Sequence, residues 1–527
     1  MRFLITESYK KGIVVSVGFN LLAKALSFVT SLALACYFGT SAEMDVYLYS
    51  LFTVTIVIGF ISSLNSYVII PESMRLREQE GAEKSVAFLN LFIYGYAAIG
   101  ALLTLTVLLD PVKIFLAISR FDGARLAANS GILYLSLPLF FLMLISNYLV
   151  DILTSRKFFT IPMIVSMGTN LCALLFIICL HDQLGVSSAV AGLVFAYAAQ
   201  TVFLAGLLKY SLGWDFSFSA VKPGRSVLRN IFFAQLGNLA TSLSSYAPLF
   251  LLSGLAQGTV SSMNYGRQLS EFPHNLVTLQ FSSVAGIKFN ELFAKKRGDE
   301  VNRVFISSAK ILMFALVPVS CLSFAFSTEI ITVLFMRGAF NAQSARISAD
   351  FFRIFVLLLP FYAATTLVGR LFLASQKIRQ SFLYQIGVNV LLVAGMVLCV
   401  HCFGALGYPA SLLILHASNF YFCRCLMRVY FPEVRYGEVL RYFLKLAAVD
   451  SLLLYPIVLL AGAVPFPNLF LRLAAASGLY LALILWSASK FRIDRDIYEL
   501  LQAWKSKVFA GGPKTGEVRS DTRSSPV

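Results

Sequence analysis

Residues 39–47, GTSAEMDVY, return 219 positions later as GTVSSMNYG at 258–266, without a gap. Phe121-Asp122 returns as Phe340-Asn341 at the same offset, and Leu137-Pro138-Leu139 returns as Leu359-Pro360-Phe361 at an offset of 222. Both copies lie among long apolar runs. The chain therefore reads as one membrane bundle written twice, and duplicated bundles commonly pass a solute across the bilayer between their halves.

The apolar content decides the class. Hydrophobic residues make up 58% of the 527 positions and charged residues 13%, well beyond what a soluble core uses. Stretches long enough to span a bilayer, about 20 residues each, begin near residues 12, 46, 86, 127, 158, 187, 229, 257, 304, 347, 380, 405, 439 and 468. This predicts an all-α polytopic membrane protein of about fourteen transmembrane helices. Helices one to six form an N-lobe (1–210) and helices seven to twelve a C-lobe (229–431), joined by a basic cytoplasmic linker at 211–228. An even number of helices separates equivalent positions, so the repeat is parallel, about an axis along the membrane normal. Helices thirteen and fourteen (432–489) stand outside it. Beyond residue 490, Phe491, Ile497, Leu500, Leu501, Trp504 and Val508 are spaced for one apolar face of an interfacial helix, and the Ser-, Thr- and Arg-rich end reads as disordered.

The first apolar run follows Lys10-Lys11 and lacks a small-residue cleavage site, so it reads as a retained helix. Short loops leave no room for a soluble catalytic domain, and no acidic cluster marks a membrane glycosyltransferase; an enzyme is not expected. With the N-terminus inside, the cytoplasmic segments hold 32 Lys and Arg and the external loops 6. Both termini are therefore predicted to be cytoplasmic. The net charge of +17 follows from this topology and from anionic lipid headgroups, without nucleic acid. The eight cysteines are scattered; only Cys399, His401 and Cys402 approach a metal-like spacing, and neither a disulfide framework nor a structural metal is expected.

Polar residues inside the spans fall into stripes. In helix one Ser16, Asn20, Lys24, Ser27 and Ser31 share one face; in helix seven Gln235, Asn238, Ser242 and Ser245 do; in helix eight Asn264, Arg267, Glu271, Asn275 and Thr278 do. The stripes predict a common cavity. A cation at mid-membrane costs about 2.5 to 3.5 kcal/mol on insertion scales, so Lys24, Arg267 and Arg370 require water, partners or substrate. The structural alternative is a pairing of Arg267 with Glu271 one turn on, or of Asp45 with a neighbour. Deep cations (Lys24, Arg267, Arg353, Arg370) outnumber deep acids (Glu271, Asp151, Asp450). A cationic cavity suits a phosphate or pyrophosphate, whose oxygens guanidinium groups bind in pairs. The apolar helices thirteen and fourteen could offer a groove to a lipid tail.

Four segments carry a family likeness: FGTSAEMDVY at 38–47, MNYGRQLSEFP at 263–273, MRGAF at 336–340 and FLASQKIR at 372–379. Through them the chain resembles the MurJ (MviN-like) family of lipid II flippases, within the superfamily of multidrug, oligosaccharidyl-lipid and polysaccharide exporters. Tyr265, Leu269, Glu271, Phe272 and Pro273 fit the family's helix-eight pattern. The resemblance implies export of an undecaprenyl-pyrophosphate-linked glycan across the bacterial cytoplasmic (inner) membrane by alternating access. Asp45 and Glu271 match the family's acidic positions, while Lys24 stands where the family usually has arginine. Thr30, Ile58 and Gln268 also occupy positions where arginine is usual. Those missing cations leave two substrates in view, lipid II and a related lipid-linked oligosaccharide moved by a divergent paralogue.

The expected substrate-binding residues are Lys24, Arg267, Arg370, Asn20 and Asn264, with Asp45 and Glu271 organising charge or gating. No cofactor is expected beyond a coupling ion or the membrane potential. Expected partners are the lipid-linked glycan, anionic lipids and envelope-glycan polymerases. An ion-coupled multidrug or metabolite exporter on the same fold and a non-transporting scaffold for envelope-glycan assembly are the alternatives. A dry, packed interface between the halves would favour the scaffold.

Overall fold

The computed structural model describes residues 9–218 and 224–491, with the side chains of residues 9–17, 20, 226, 378 and 491 outside that description. The interfacial helix and tail expected beyond residue 491, and the Asn20 side chain, therefore lie outside the described residues.

The first repeat opens with α1 (Tyr9–Phe38), α2 (Ala42–Leu64) and α3 (Ile70–Glu80), then α4 (Ala82–Leu109) and the short α5 (Pro111–Ile118), α6 (Gly123–Ala128) and α7 (Ser130–Ser136). It closes with α8 (Pro138–Ser155), α9 (Thr160–Leu184) and α10 (Ser187–Leu212). The second repeat runs through α11 (Arg225–Ser253), α12 (Thr259–Pro273), α13 (Leu279–Ala294), α14 (Gly298–Ala325), α15 (Ser327–Phe335), α16 (Ala342–Val356), α17 (Leu359–Ala374), α18 (Ile378–Phe403) and α19 (Gly407–Tyr430). α20 (Tyr436–Ala463) and α21 (Leu469–Phe491) follow. No strand occurs among the described residues.

A helix starts within six residues of every position at which an apolar run begins. Ten helical stretches, or eleven with the bent pair α16–α17, are long and apolar enough to cross a membrane. Reaching fourteen requires counting α18 and α19 separately and including α11 and α12–α13, whose polar stripes lower their hydropathy.

Equivalent positions of the repeat adopt the same local structure. Gly39 and Gly258 both hold a left-handed conformation (φ 58° and 83°) immediately before α2 and α12. Phe121 and Phe340 are both buried, and Pro138 and Pro360 both occupy the first turn of a helix. Asn341 caps α16 by accepting the Ser344 amide at 2.9 Å.

Two π-helical turns interrupt equivalent helices: Asn65–Ile69 between α2 and α3, and His274–Thr278 between α12 and α13. The second directly follows Pro273, whose missing N–H and ring force the hydrogen-bond register to shift. In the first, Asn65 donates to Asp151 (2.7 Å) and accepts from Tyr96 (2.7 Å), a buried polar network that fixes the turn.

The segment after α10 is pinned to α4. Asn90 donates to the carbonyls of Asp215 (2.7 Å) and Ser217 (3.0 Å) and accepts from the Trp214 indole (2.8 Å). Hydrogen bonds from the Ser217 hydroxyl and amide hold the Asp215 carboxyl below the usual carboxylate range. α11 then begins at Arg225, inside the stretch predicted as linker.

α20 and α21 build a smaller apolar core from Leu454, Ile457 and Tyr480 against Phe326, the residue between α14 and α15. One turn before Leu454, Asp450 is 1% exposed and neither carboxyl oxygen has a hydrogen-bond partner among the described residues. An unsatisfied buried polar group costs about 1–3 kcal/mol. Asp450→Leu is therefore expected to raise the thermal midpoint of the purified protein by about one to three degrees, scaled for a large chain. A lowered midpoint in differential scanning fluorimetry would show that Asp450 holds the structure together.

Candidate functional site: a latched junction and a fork between the repeats

The turns before α2 and α12 meet at one end of the molecule, here called the latched end. Ser41 caps α2 by accepting the Met44 amide (3.1 Å), which sets Asp45 on the first turn facing the other repeat. One Asp45 oxygen accepts from the Gly258 amide (2.7 Å) and from Arg125 (2.6 Å). The other accepts from the Ser261 amide and hydroxyl, both at 2.8 Å. Gly258 is the N-cap of α12 and Ser261 lies on its first turn, so a carboxylate of one repeat caps a helix of the other, where amides and helix dipole both favour negative charge. Asp45 is 1% and the Arg125 side chain 15% exposed. Arg125 also lies over the Phe121 ring at 4.9 Å.

More contacts close the same end. The Thr40 and Ser344 hydroxyls are 2.7 Å apart, and the Ala339 amide donates to the Cys36 carbonyl at 2.8 Å. Tyr49 and Tyr246, one from each repeat, place their hydroxyls 2.6 Å apart, and both donate to the Ile118 carbonyl. The glycines are required here by close approach as well as by φ: a Cβ on Gly39 would lie 2.5 Å from the Ala339 carbonyl oxygen, and one on Gly258 would lie 2.8 Å from that of Thr40.

Away from this end the two seams differ. α2 and α11 stay joined, Asn238 donating to Ser63 (2.8 Å) and Gln235 to the Phe60 carbonyl (3.1 Å). The helix-seven stripe predicted to line a cavity is thus spent, at Gln235 and Asn238, on binding the neighbouring helix. Among the described residues, side-chain contacts join α1 to α12 at Ser31, which donates to Gln268 (2.6 Å), and at Phe28, whose ring lies 6.1 Å from that of Phe272. Beyond that point α1 stays with α9, while α13 stays with α14 and α17. Lys24 lies one turn past Phe28 on the same face, so it sits where the two helices part. It is exposed and has no partner among the described residues.

Arg267 lies just above this fork. Its Nε is 3.4 Å from Glu271, and its guanidinium is 5.5 Å from the Phe52 ring of α2. With Tyr362 and Tyr408 the pair lines a cavity of about 30 Å³, room for one or two waters and not for a sugar. The pairing with Glu271 named as the structural alternative is therefore present. The side chains are 31% and 44% exposed, so the pair is open on one side.

Arg370 donates to Ser283 at 3.3 Å, on the seam between α17 and α13 within the second repeat. Asn264, the repeat equivalent of Asp45, is half-buried. Among the described residues no group of three or more His, Cys, Asp or Glu could hold a metal ion, and all eight cysteines are free.

Two tandem helical repeats, latched at one end and forked at the other, define an exporter-type membrane bundle. The chain superposes on the inward-facing structure of a multidrug resistance MATE family transporter of the MOP superfamily with a TM-score of 0.60 at 16% identity, covering 79% of this chain and 98% of that one. The likeness to a structure described as lipid II flippase MurJ in an inward closed conformation is greater, with a TM-score of 0.78 at 18% identity over 92% of this chain and 99% of that one. The family model for lipid II flippase MurJ matches residues 34–484, and the chain belongs to that family. A relative from Borreliella burgdorferi, described as a probable lipid II flippase MurJ, is 24% identical over 425 residues, covering 79% of this chain and 81% of that one.

Proposed function

We propose that this protein moves lipid II from the inner to the outer leaflet of the bacterial cytoplasmic membrane, supplying peptidoglycan synthesis, without itself catalysing a covalent step. The observation that carries this reading is the fork: Lys24 stands on α1, without a partner among the described residues, one turn past the Phe28–Phe272 contact between the repeats, with the Arg267–Glu271 pair a turn or two above it. An incoming pyrophosphate meets Lys24 first and then competes with Glu271 for Arg267, a charge-assisted contact that a guanidinium makes with two oxygens at once. The Lys and Arg count places both termini in the cytoplasm, so the latched end faces outward and the fork opens inward. Transport then requires the Asp45 latch to open as the fork closes, with the π-turns at Asn65 and His274 as the places where α2–α3 and α12–α13 can re-register. A coupling ion or the membrane potential supplies the driving force, and envelope-glycan polymerases are the natural consumers of the product.

The missing cations favour a second reading, a related lipid-linked glycan. Ile58 is 1% exposed and Gln268 is engaged by Ser31, so neither site has space or a free partner for the arginine usual there. Depletion of a host's essential lipid II flippase tests the choice. Expression of this chain is expected to restore growth; failure at good expression moves the assignment to another polyprenyl-linked glycan.

A further inference from the structure

α18 and α19 touch tightly at one end and separate toward the other. At the turn joining them Gly407 packs so closely that a Cβ would lie 2.1 Å from the Cys399 carbonyl oxygen. At the opposite end the helices enclose a groove of about 690 Å³. Its walls are apolar: Leu383 and Leu391 of α18 and Phe422 of α19 are 58%, 63% and 54% exposed although they line a membrane-spanning hairpin. The Tyr384 hydroxyl donates to Asn419, so the main polar groups lining it satisfy each other.

The mouth of the groove is cationic. Tyr430 forms its rim, and the Lys377 ammonium donates to the Tyr430 carbonyl while lying 4.3 Å from the Phe431 ring. An ammonium has three donors, and this bond uses one. Arg379 is exposed two residues on. From Gln380 to Leu391 the trough runs about 16 Å along α18 at 1.5 Å per residue, roughly half of a 30 Å hydrocarbon core. These are the dimensions of one fatty-acyl chain hanging from the membrane surface.

We infer that this groove is a binding site for an anionic glycerophospholipid, one acyl chain lying between α18 and α19 and the phosphate resting on Lys377 and Arg379. The charge at the mouth selects the headgroup, and the half-bilayer depth selects an acyl chain over a long polyprenyl tail. The site lies away from the fork at Lys24, and the inference stands whatever headgroup the chain translocates.

Delipidated full-length protein titrated with phosphatidylglycerol or phosphatidylcholine and read by native mass spectrometry provides the test. A Cβ on Gly387 would meet nothing within 4 Å, so Gly387→Leu fills the groove without disturbing its walls. Gly387→Leu is expected to weaken binding of both lipids, and Lys377→Gln with Arg379→Gln to weaken phosphatidylglycerol alone by about tenfold. Thermal midpoints matching wild type show that the variants fold. Unchanged phosphatidylglycerol binding in Gly387→Leu overturns the site. Displacement of phosphatidylglycerol by undecaprenyl phosphate in the wild type, but not in Gly387→Leu, overturns the occupant and assigns the groove to the substrate's tail.

Discussion

Lys24→Ala protein reconstituted in liposomes is expected to fold as wild type does and to translocate lipid II about a hundredfold more slowly, the loss typical of removing one charged partner from a desolvated ion pair. Folding should be untouched because Lys24 is exposed and has no hydrogen-bond or ion-pair partner among the described residues. Arg267→Ala should show the same kinetic loss, since it removes the guanidinium that lies 3.4 Å from Glu271. Lys24→Arg keeps the charge and adds a planar fork, so it should retain transport. Wild-type rates in Lys24→Ala and Arg267→Ala would remove both residues from the mechanism.

Asp45→Ala should instead act on the structure. It removes the acceptor for two backbone amides and one hydroxyl of α12 and leaves the Arg125 guanidinium buried without its partner. Breaking a buried pair from one side costs about 3–5 kcal/mol, so the thermal midpoint should fall by several degrees and transport should fail with it. The double variant Asp45→Ala/Arg125→Ala should recover part of the lost stability, because the stranded charge is gone while the uncapped helix remains. An unchanged midpoint in Asp45→Ala would mean that the latch is absent in the membrane.

Much of the fold was legible because lipid imposes long apolar runs and because glycines mark the turns. The equivalence of Gly39 and Gly258 in the sequence is the equivalence of two left-handed turns in space. α5, α6 and α15, of 8, 6 and 9 residues, were not legible, since each is too short to give a periodic signal. The role of Asp45 was half legible: an acid near a helix start is a familiar sign, but here it caps a helix more than 200 residues away, and no local pattern carries that contact. Arg125 and the Tyr49–Tyr246 pair escaped for the same reason. The stripe on α11 misled because helical period alone cannot separate a row facing water from a row bonded to a neighbouring helix. Gln235 and Asn238 belong to the second kind.

The central claim is that the latched end must open in every cycle, and Thr40 and Ser344 offer the most direct test of it. Their hydroxyls are 2.7 Å apart across the two repeats, so cysteines placed there come within bonding reach once the native exposed cysteines are replaced. Oxidised Thr40→Cys/Ser344→Cys protein in liposomes is expected to translocate at background rate and to recover when the disulfide is reduced. Equal rates in the oxidised and reduced states would contradict the account.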